Sequence, residues 1–442
     1  MSEASRVVYR FPEGFLWGAA TSSHQVEGNN RWNDWWDYEA SGRLPYRSGD
    51  ACRHYELYTR DFDMAQSWGH RAHRFSIEWS RIEPEEGRWD EEAVAHYRDV
   101  IQALRQRGLE PVVTLHHFSN PSWFLRKGGW LCRSSVRVFD RYVRYVAQAL
   151  GTEVRYWITI NEPTVYAKHG YVLGDWPPCE KGAWRKAARV LYVMGKAHKA
   201  AYKSLHQLLG DQASVGFAHS APLVTPCDRG GRTADRLVAW LRDLALNRAI
   251  FYLAGIARIA PWPARCHSDF IGLNYYTRSV VQYKRRGMAA LMGEECWDEK
   301  RPERGVLSDT DWEIYPQGIL AMLRKFARYR LPLLVTENGI ATRDETLRSA
   351  FLREHLRYLG DALASGVNVI GYFYWTLMDN FEWALGTNAH FGLAAVNFET
   401  QERIPRPCAE RFAQVCRSNV LDLDAWQATD VRDPQPVGSA AS

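Results

Sequence analysis

Eight short apolar runs, separated by stretches of helical periodicity, constrain this chain more than any other feature. They are Phe15–Ala19, Ala72–Ile77, Pro111–His116, Tyr156–Asn161, Ser214–Ala218, Phe270–Asn274, Leu333–Thr336 and Val369–Trp375. Short apolar runs of this kind read as buried strands. Between them, Ala93–Arg107, Val136–Leu150, Ala187–Leu209, Gly318–Tyr329 and Thr346–Ser365 place apolar residues at i, i+3 and i+4, as amphipathic helices do. Eight strands alternating with helices predict an α/β protein built as a single (β/α)8 TIM barrel, with right-handed crossovers throughout. A doubly wound open sheet is the competing arrangement, but no Gly-x-Gly-x-x-Gly opens any strand-to-helix turn. No Pro-, Gly- or Ser-rich linker divides the chain, so residues 1–428 read as one barrel domain with extended βα loops. The polar stretch 429–442 reads as a disordered tail. Tyr283–Ser308 has no periodicity and reads as a long loop over the barrel mouth.

Composition narrows the function classes. With 46% hydrophobic and 24% charged residues in 442, the chain is globular and can bury a large core. A net charge of +5, spread without a basic block, argues against a nucleic-acid partner. No run of 18 apolar residues occurs, and the start Met-Ser-Glu-Ala-Ser-Arg carries no apolar leader, so a cytoplasmic protein without membrane attachment is expected. Cys52, Cys132, Cys179, Cys227, Cys266, Cys296, Cys408 and Cys416 form no Cys-x-x-Cys pair and are expected to be free thiols. His116 and His117 sit near carboxylates without metal-ligand spacing, so neither metal nor cofactor is expected.

Two glutamates carry the chemistry. Glu162 lies in Thr159-Ile160-Asn161-Glu162-Pro163 and Glu337 in Thr336-Glu337-Asn338-Gly339, each just after an apolar run. A carboxylate at the end of a buried strand stands at the mouth of an α/β fold, where ligands bind. Two such groups facing one cavity are what glycosidic cleavage needs: an acid of raised pKa and a carboxylate that stays ionised. Asn161 is placed to bond a sugar hydroxyl, and the apolar Trp157 is expected to raise the pKa of Glu162. Arg74 and the tyrosines of Asn274-Tyr275-Tyr276 are candidates for holding Glu337 ionised. The other strand ends supply His24, Gln25, His116, His117, Trp375, Asp379, Glu382 and Trp383, groups that bond hydroxyls or stack on rings.

These motifs resemble those of glycoside hydrolase family 1, the retaining β-glucosidase family. The resemblance rests on Phe11–Gly18 with Ala20–Gly28, on Arg74–Arg81, on Thr159–Pro163, Asn274–Tyr276 and Thr336–Gly339, and on Trp375–Trp383, all in family order. It implies a (β/α)8 barrel that hydrolyses terminal β-glucosides with net retention, β-galactosides and β-fucosides included. It makes Glu162 the acid/base and Glu337 the nucleophile, with Arg74 and Tyr276 orienting Glu337. Gln25, His117, Asn161, Asn274 and Glu382 would bind sugar hydroxyls, and Trp375, Trp383 and Phe391 would wall the site; the peptide after Trp375 would be cis. The chain departs from the family's common pattern at Phe118, at Thr164 and across Gly386–His390, all on the leaving-group side. Relatives acting on 6-phosphoglycosides replace the glutamate matching Glu382, so an unphosphorylated substrate is implied here. Two other readings share the architecture: a transglycosylase using the same intermediate, and an inactive sugar-binding barrel. The partner expected is a small-molecule β-glycoside, and the sequence leaves oligomeric state open.

Overall fold

A computed structural model describes residues 7–227, 232–257, 266–285, 287, 289–296 and 305–430. Eight parallel strands close into a barrel: β1 Leu16–Ala20, β2 Ala72–Ser76, β3 Glu110–Thr114, β4 Tyr156–Asn161, β5 Ser214–Ser220, β6 Ile271–Asn274, β7 Leu333–Asn338 and β8 Val369–Trp375. Each pairs with its chain neighbours, and β8 closes on β1 through Gly371–Leu16 to Trp375–Ala20. Helices α1 His54–Ser67, α2 Glu91–Gln106, α3 Ser135–Leu150, α4 Trp184–Leu209, α5 Thr233–Asn247, α6 Gln317–Ala327, α7 Glu345–Ala364 and α8 Pro407–Ser418 follow the strands in turn.

Strand alternation splits the core into two parts. Ala20, Ala72, Val112, Ile158, Ala218, Phe270, Leu334 and Phe373 form one buried cluster inside the barrel. Residues of the other parity, such as Val113, Trp157, Val215 and Val335, pack in the larger cluster between strands and helices. The helices offer matching stripes: α2 buries Ala93, Val94, Tyr97, Val100, Ile101 and Leu104 at spacings of three and four. Asp90 starts α2 by accepting from Ala93 N at 2.9 Å, and Asp344 starts α7 by accepting from Thr346 N and Leu347 N.

All eight predicted strands are present, with ends shifted by a few residues. Three expectations need correction. The helix Leu423–Asp430 carries ordered secondary structure two residues into the stretch expected to be a tail, because Val420–Asp422 pairs with Val8–Arg10 and anchors that helix; residues 431–442 lie outside the described residues. The segment expected to be one long loop contains a short helix, Ala289–Met292, and a strand, Glu294–Glu295, that pairs with Arg278–Gln282; residues 286, 288 and 297–304 of it lie outside the described residues. Cys227 and Cys296 are joined, their Cα atoms 6.1 Å apart, rather than both free. The pairing was invisible in sequence because 69 residues separate them. They meet only because Leu223–Pro226 lies parallel to Arg278–Gln282 in a small sheet formed by the loops after β5 and β6.

Candidate active site

Both glutamates stand just past a break in strand register. On β4, Ile158 pairs with Gly216 but Asn161 with Ala218, so three residues span what two span on β5. On β7, Val335 pairs with Leu273 and Glu337 with Asn274, one extra residue against β6. Such bulges re-aim the side chains beyond them. Without the β4 bulge, Asn161 would share the outward parity of Thr159, which instead bonds His198 on α4 at 2.7 Å. With it, Asn161 and Glu162 turn into the mouth. Glu162 has φ 40°, in the left-handed region, and caps the helix Pro163–Ala167. Gly339 completes the β7 turn where a Cβ would come within 1.9 Å of Trp375 O.

Arg74, midway along β2 and fully buried, organises the floor. Its Nη1 donates to Glu337 Oε1 at 2.5 Å and to Thr336 O at 3.0 Å, its Nη2 to Asn161 Oδ1 at 2.7 Å, and its Nε to Thr114 Oγ1 at 3.2 Å. Tyr276 OH donates to the other oxygen, Glu337 Oε2, at 2.6 Å. Burial and the neighbouring carboxylate push the Tyr276 phenol well above its ordinary pKa, so it stays a donor.

Glu162 has a weaker set of partners. Asn274 Nδ2 donates to its Oε1 at 2.8 Å and to Asn161 Oδ1 at 3.1 Å, while Thr336 Oγ1 donates to Asn274 Oδ1 at 2.6 Å and fixes the amide. Burial, then repulsion from Glu337, raises Glu162 to about 8. Burial raises Glu337 as well, but Arg74 and then Tyr276 oppose the rise. Glu337 therefore has the stronger donors for a charged carboxylate, while burial and the repulsion from Glu337 favour the protonated form of Glu162.

Around this pair lies a polar pocket with aromatic walls. Trp375 Nε1 donates to Glu382 Oε1 at 3.0 Å, and burial raises Glu382 to about 8. Gln25 is buried and held by Ser22 at 2.7 Å and Asn380 at 3.1 Å. His117 Nε2 lies 3.3 Å from Asn161 Nδ2, and its ring stacks on Trp375 with centroids 5.7 Å apart. Trp383 lies parallel to His117 at 6.3 Å, and Phe391 stands edge-on to Tyr276 at 6.2 Å. The Trp375–Thr376 peptide is cis.

The family model described as glycosyl hydrolase family 1 matches residues 7–255 and 264–421. The chain belongs to glycosyl hydrolase family 1. A β-glycosidase structure from Pyrococcus horikoshii shares 40% identity at a TM-score of 0.87, covering 96% of this chain and 98% of its own. β-Glucosidase A of Thermotoga maritima is 30% identical over 453 residues, 94% of this chain and 99% of that protein. A 6-phospho-β-galactosidase of Lacticaseibacillus rhamnosus is also 30% identical, over 481 residues, 93% of this chain and 99% of that protein. Equal identity to proteins named for different sugars means that substrate must be argued from the site.

Several candidates lie outside this family 1 site. Trp157 faces the helix layer and donates to Val154 O at 3.1 Å; the rise at Glu162 comes from its own burial and from Glu337 instead. Tyr275 turns away and donates to Tyr315 O at 2.6 Å. Asp379 binds Arg406 at 2.7 Å and is lowered to about 2, with His390 and Arg406 holding its charge. His24 and His116 are buried behind the pocket, bonded to Glu39 and Asn120 respectively. In the other direction, sequence reading missed Thr114 and Thr336, whose hydroxyls fix Arg74 and Asn274. It also missed Trp312, an indole 40% exposed whose ring lies 5.3 Å from Tyr276. The threonines sit on β3 and β7, where β-branched residues are ordinary, and Trp312 falls between elements.

Proposed function

We propose that this chain is a retaining exo-β-glycosidase acting on terminal non-reducing β-D-glucosides, with β-galactosides and β-fucosides as further substrates. The observation that carries this reading is the asymmetry of the paired carboxyls: Glu337 with a cation and a phenol as donors, Glu162 with an amide and a pKa raised to about 8. Glu337 attacks the anomeric carbon as the glycosidic bond breaks, and Glu162 gives its proton to the leaving oxygen. Glu162, now a carboxylate, takes a proton from water; the hydroxide oxygen bonds the anomeric carbon, the ester to Glu337 breaks, and both groups are restored. Arg74 and Tyr276 keep Glu337 ionised and oriented. Gln25, His117, Asn161, Asn274 and Glu382 bond the sugar hydroxyls, and Trp375, Trp383 and Phe391 wall the ring. An acceptor alcohol replacing water at the second step would give transglycosylation through the same ester.

Glu382 also bears on phosphorylated sugars. Glu382, bonded to Trp375 and raised to about 8, offers a sugar phosphate no cation while protonated and repels it once ionised. The substrate is therefore read as unphosphorylated, despite the similarity to a 6-phospho-β-galactosidase. Proton NMR of the sugar first released from an aryl β-glucoside tests the mechanism. Early β-glucose supports retention, which needs carboxyl groups roughly 5–5.5 Å apart; early α-glucose refutes it.

A further inference from the structure

We propose that the buried ion pair Arg278–Glu313 is a positioning clamp that holds Trp312 against Tyr276, and so sets how the enzyme binds the leaving group. The inference rests on the glycosidase reading above. Arg278 grips Glu313 with two prongs, Nε to Oε2 at 2.9 Å and Nη2 to Oε1 at 2.7 Å, with side chains only 6% and 8% exposed. The pair sits next to two rings of the mouth in sequence: Arg278 is two residues after Tyr276, and Glu313 directly follows Trp312. Thr277 Oγ1 donates to Glu313 O at 2.8 Å, which ties the two backbones side by side at that point.

The same glutamate gathers the turn that carries Trp312. Gly305 N donates to Glu313 Oε1 at 2.8 Å, Leu307 bridges Glu313, and Trp312 N donates to Ser308 Oγ at 3.1 Å. On the other side, the Arg278 guanidinium lies 4.0 Å over the Tyr315 ring, and Tyr315 O accepts from Tyr275. Both arms of the clamp thus lead back to the strand end that presents Tyr276. Neither charge reaches the reacting carboxyls through a described contact, and a buried ion pair is often no more stabilising than an apolar pair of the same volume. A two-pronged, fully oriented pair supplies geometry instead. The geometry here seats an exposed indole over the mouth, beside the phenol that bonds Glu337 and 6.3 Å from Phe391.

The test compares two substrates. A β-glucoside with a two-ring aryl leaving group reaches Trp312; β-glucosyl fluoride carries nothing that does. Arg278→Met should raise KM for the aryl glucoside roughly 2- to 12-fold, the range of one aromatic contact, and leave both constants for the fluoride unchanged. Glu313→Gln, which keeps the shape of the side chain, should shift KM the same way and carries the comparison if Arg278→Met fails to fold. In a Trp312→Ala background, either substitution should have no further effect on the aryl substrate. Equal losses on both substrates, or losses that add to those of Trp312→Ala, would overturn the clamp and leave a merely structural ion pair. Wild-type protein that cleaves neither substrate would instead refute the glycosidase reading.

Discussion

Replacing Tyr276 with Phe removes a single oxygen from the site, and its consequences can be worked through from the structure. The hydroxyl donates to Glu337 Oε2 at 2.6 Å, a charge-assisted bond in a buried setting. A hydrogen bond to a charged group is worth about 1.5–3 kcal/mol. If that bond supports the ionised nucleophile, its loss should lower kcat/KM for an aryl glucoside roughly 10- to 150-fold. The same loss has a signature in pH. The donor favours the charged carboxylate, so without it Glu337 holds its proton to a higher pH. The acid limb of kcat/KM should therefore move upward by about one to two pH units. Arg74 still anchors Oε1 in the variant, so the fold and the active concentration should be unchanged, as a thermal melt checks. Activity within twofold of wild type, with an unmoved acid limb, would refute the role given to Tyr276.

The same geometry sets further outcomes. Glu162→Ala should impair glucosides with basic leaving groups far more than activated aryl glucosides, because protonation matters most when the leaving oxygen is a strong base; equal losses in kcat/KM would contradict the acid role. In the wild-type enzyme the basic limb should fall near pH 8, since Glu162 must be protonated to act and is raised to about 8, and the Glu162→Gln variant should lose that limb on activated substrates. Steady-state kinetics should show slower turnover of an aryl 6-phosphoglucoside than of the plain glucoside, with Glu382→Ser narrowing the gap. Deep in the fold, Arg403 grips Asp61 at 2.8 Å and 3.0 Å, and Asp61 also meets His54. Arg403→Met should therefore cost about 3–5 kcal/mol in denaturant unfolding while leaving KM of the remaining folded enzyme unchanged.

Much of this was legible in the residues. Buried parallel strands carry apolar residues on both faces, so each appeared as a run that could be placed within a few positions. The two glutamates were legible because a charged residue just after such a run is costly unless it has work to do. Bulges were not legible, since parity along β4 predicts an outward Asn161 and only the register against β5 reveals the extra residue. Trp157 was misjudged for that reason: closeness in sequence to Glu162 does not put it on the same face of the sheet. Contacts between distant loops were equally hidden. The Cys227–Cys296 pairing and the Arg278–Glu313 pair both depend on how segments after β5 and β6 lie together, and no local pattern encodes that.

The central claim is that Glu337 forms the covalent bond. Trapping with a 2-deoxy-2-fluoro-β-glucoside bearing a dinitrophenyl leaving group tests it most directly. The fluorine slows both steps by destabilising positive charge at the anomeric carbon, and the activated leaving group keeps the first fast enough for the ester to accumulate. Peptide mass spectrometry should find one fluoroglucosyl group on the peptide containing Glu337, with activity lost in step. A label on Glu162, or inactivation with no covalent sugar on the protein, would contradict the account.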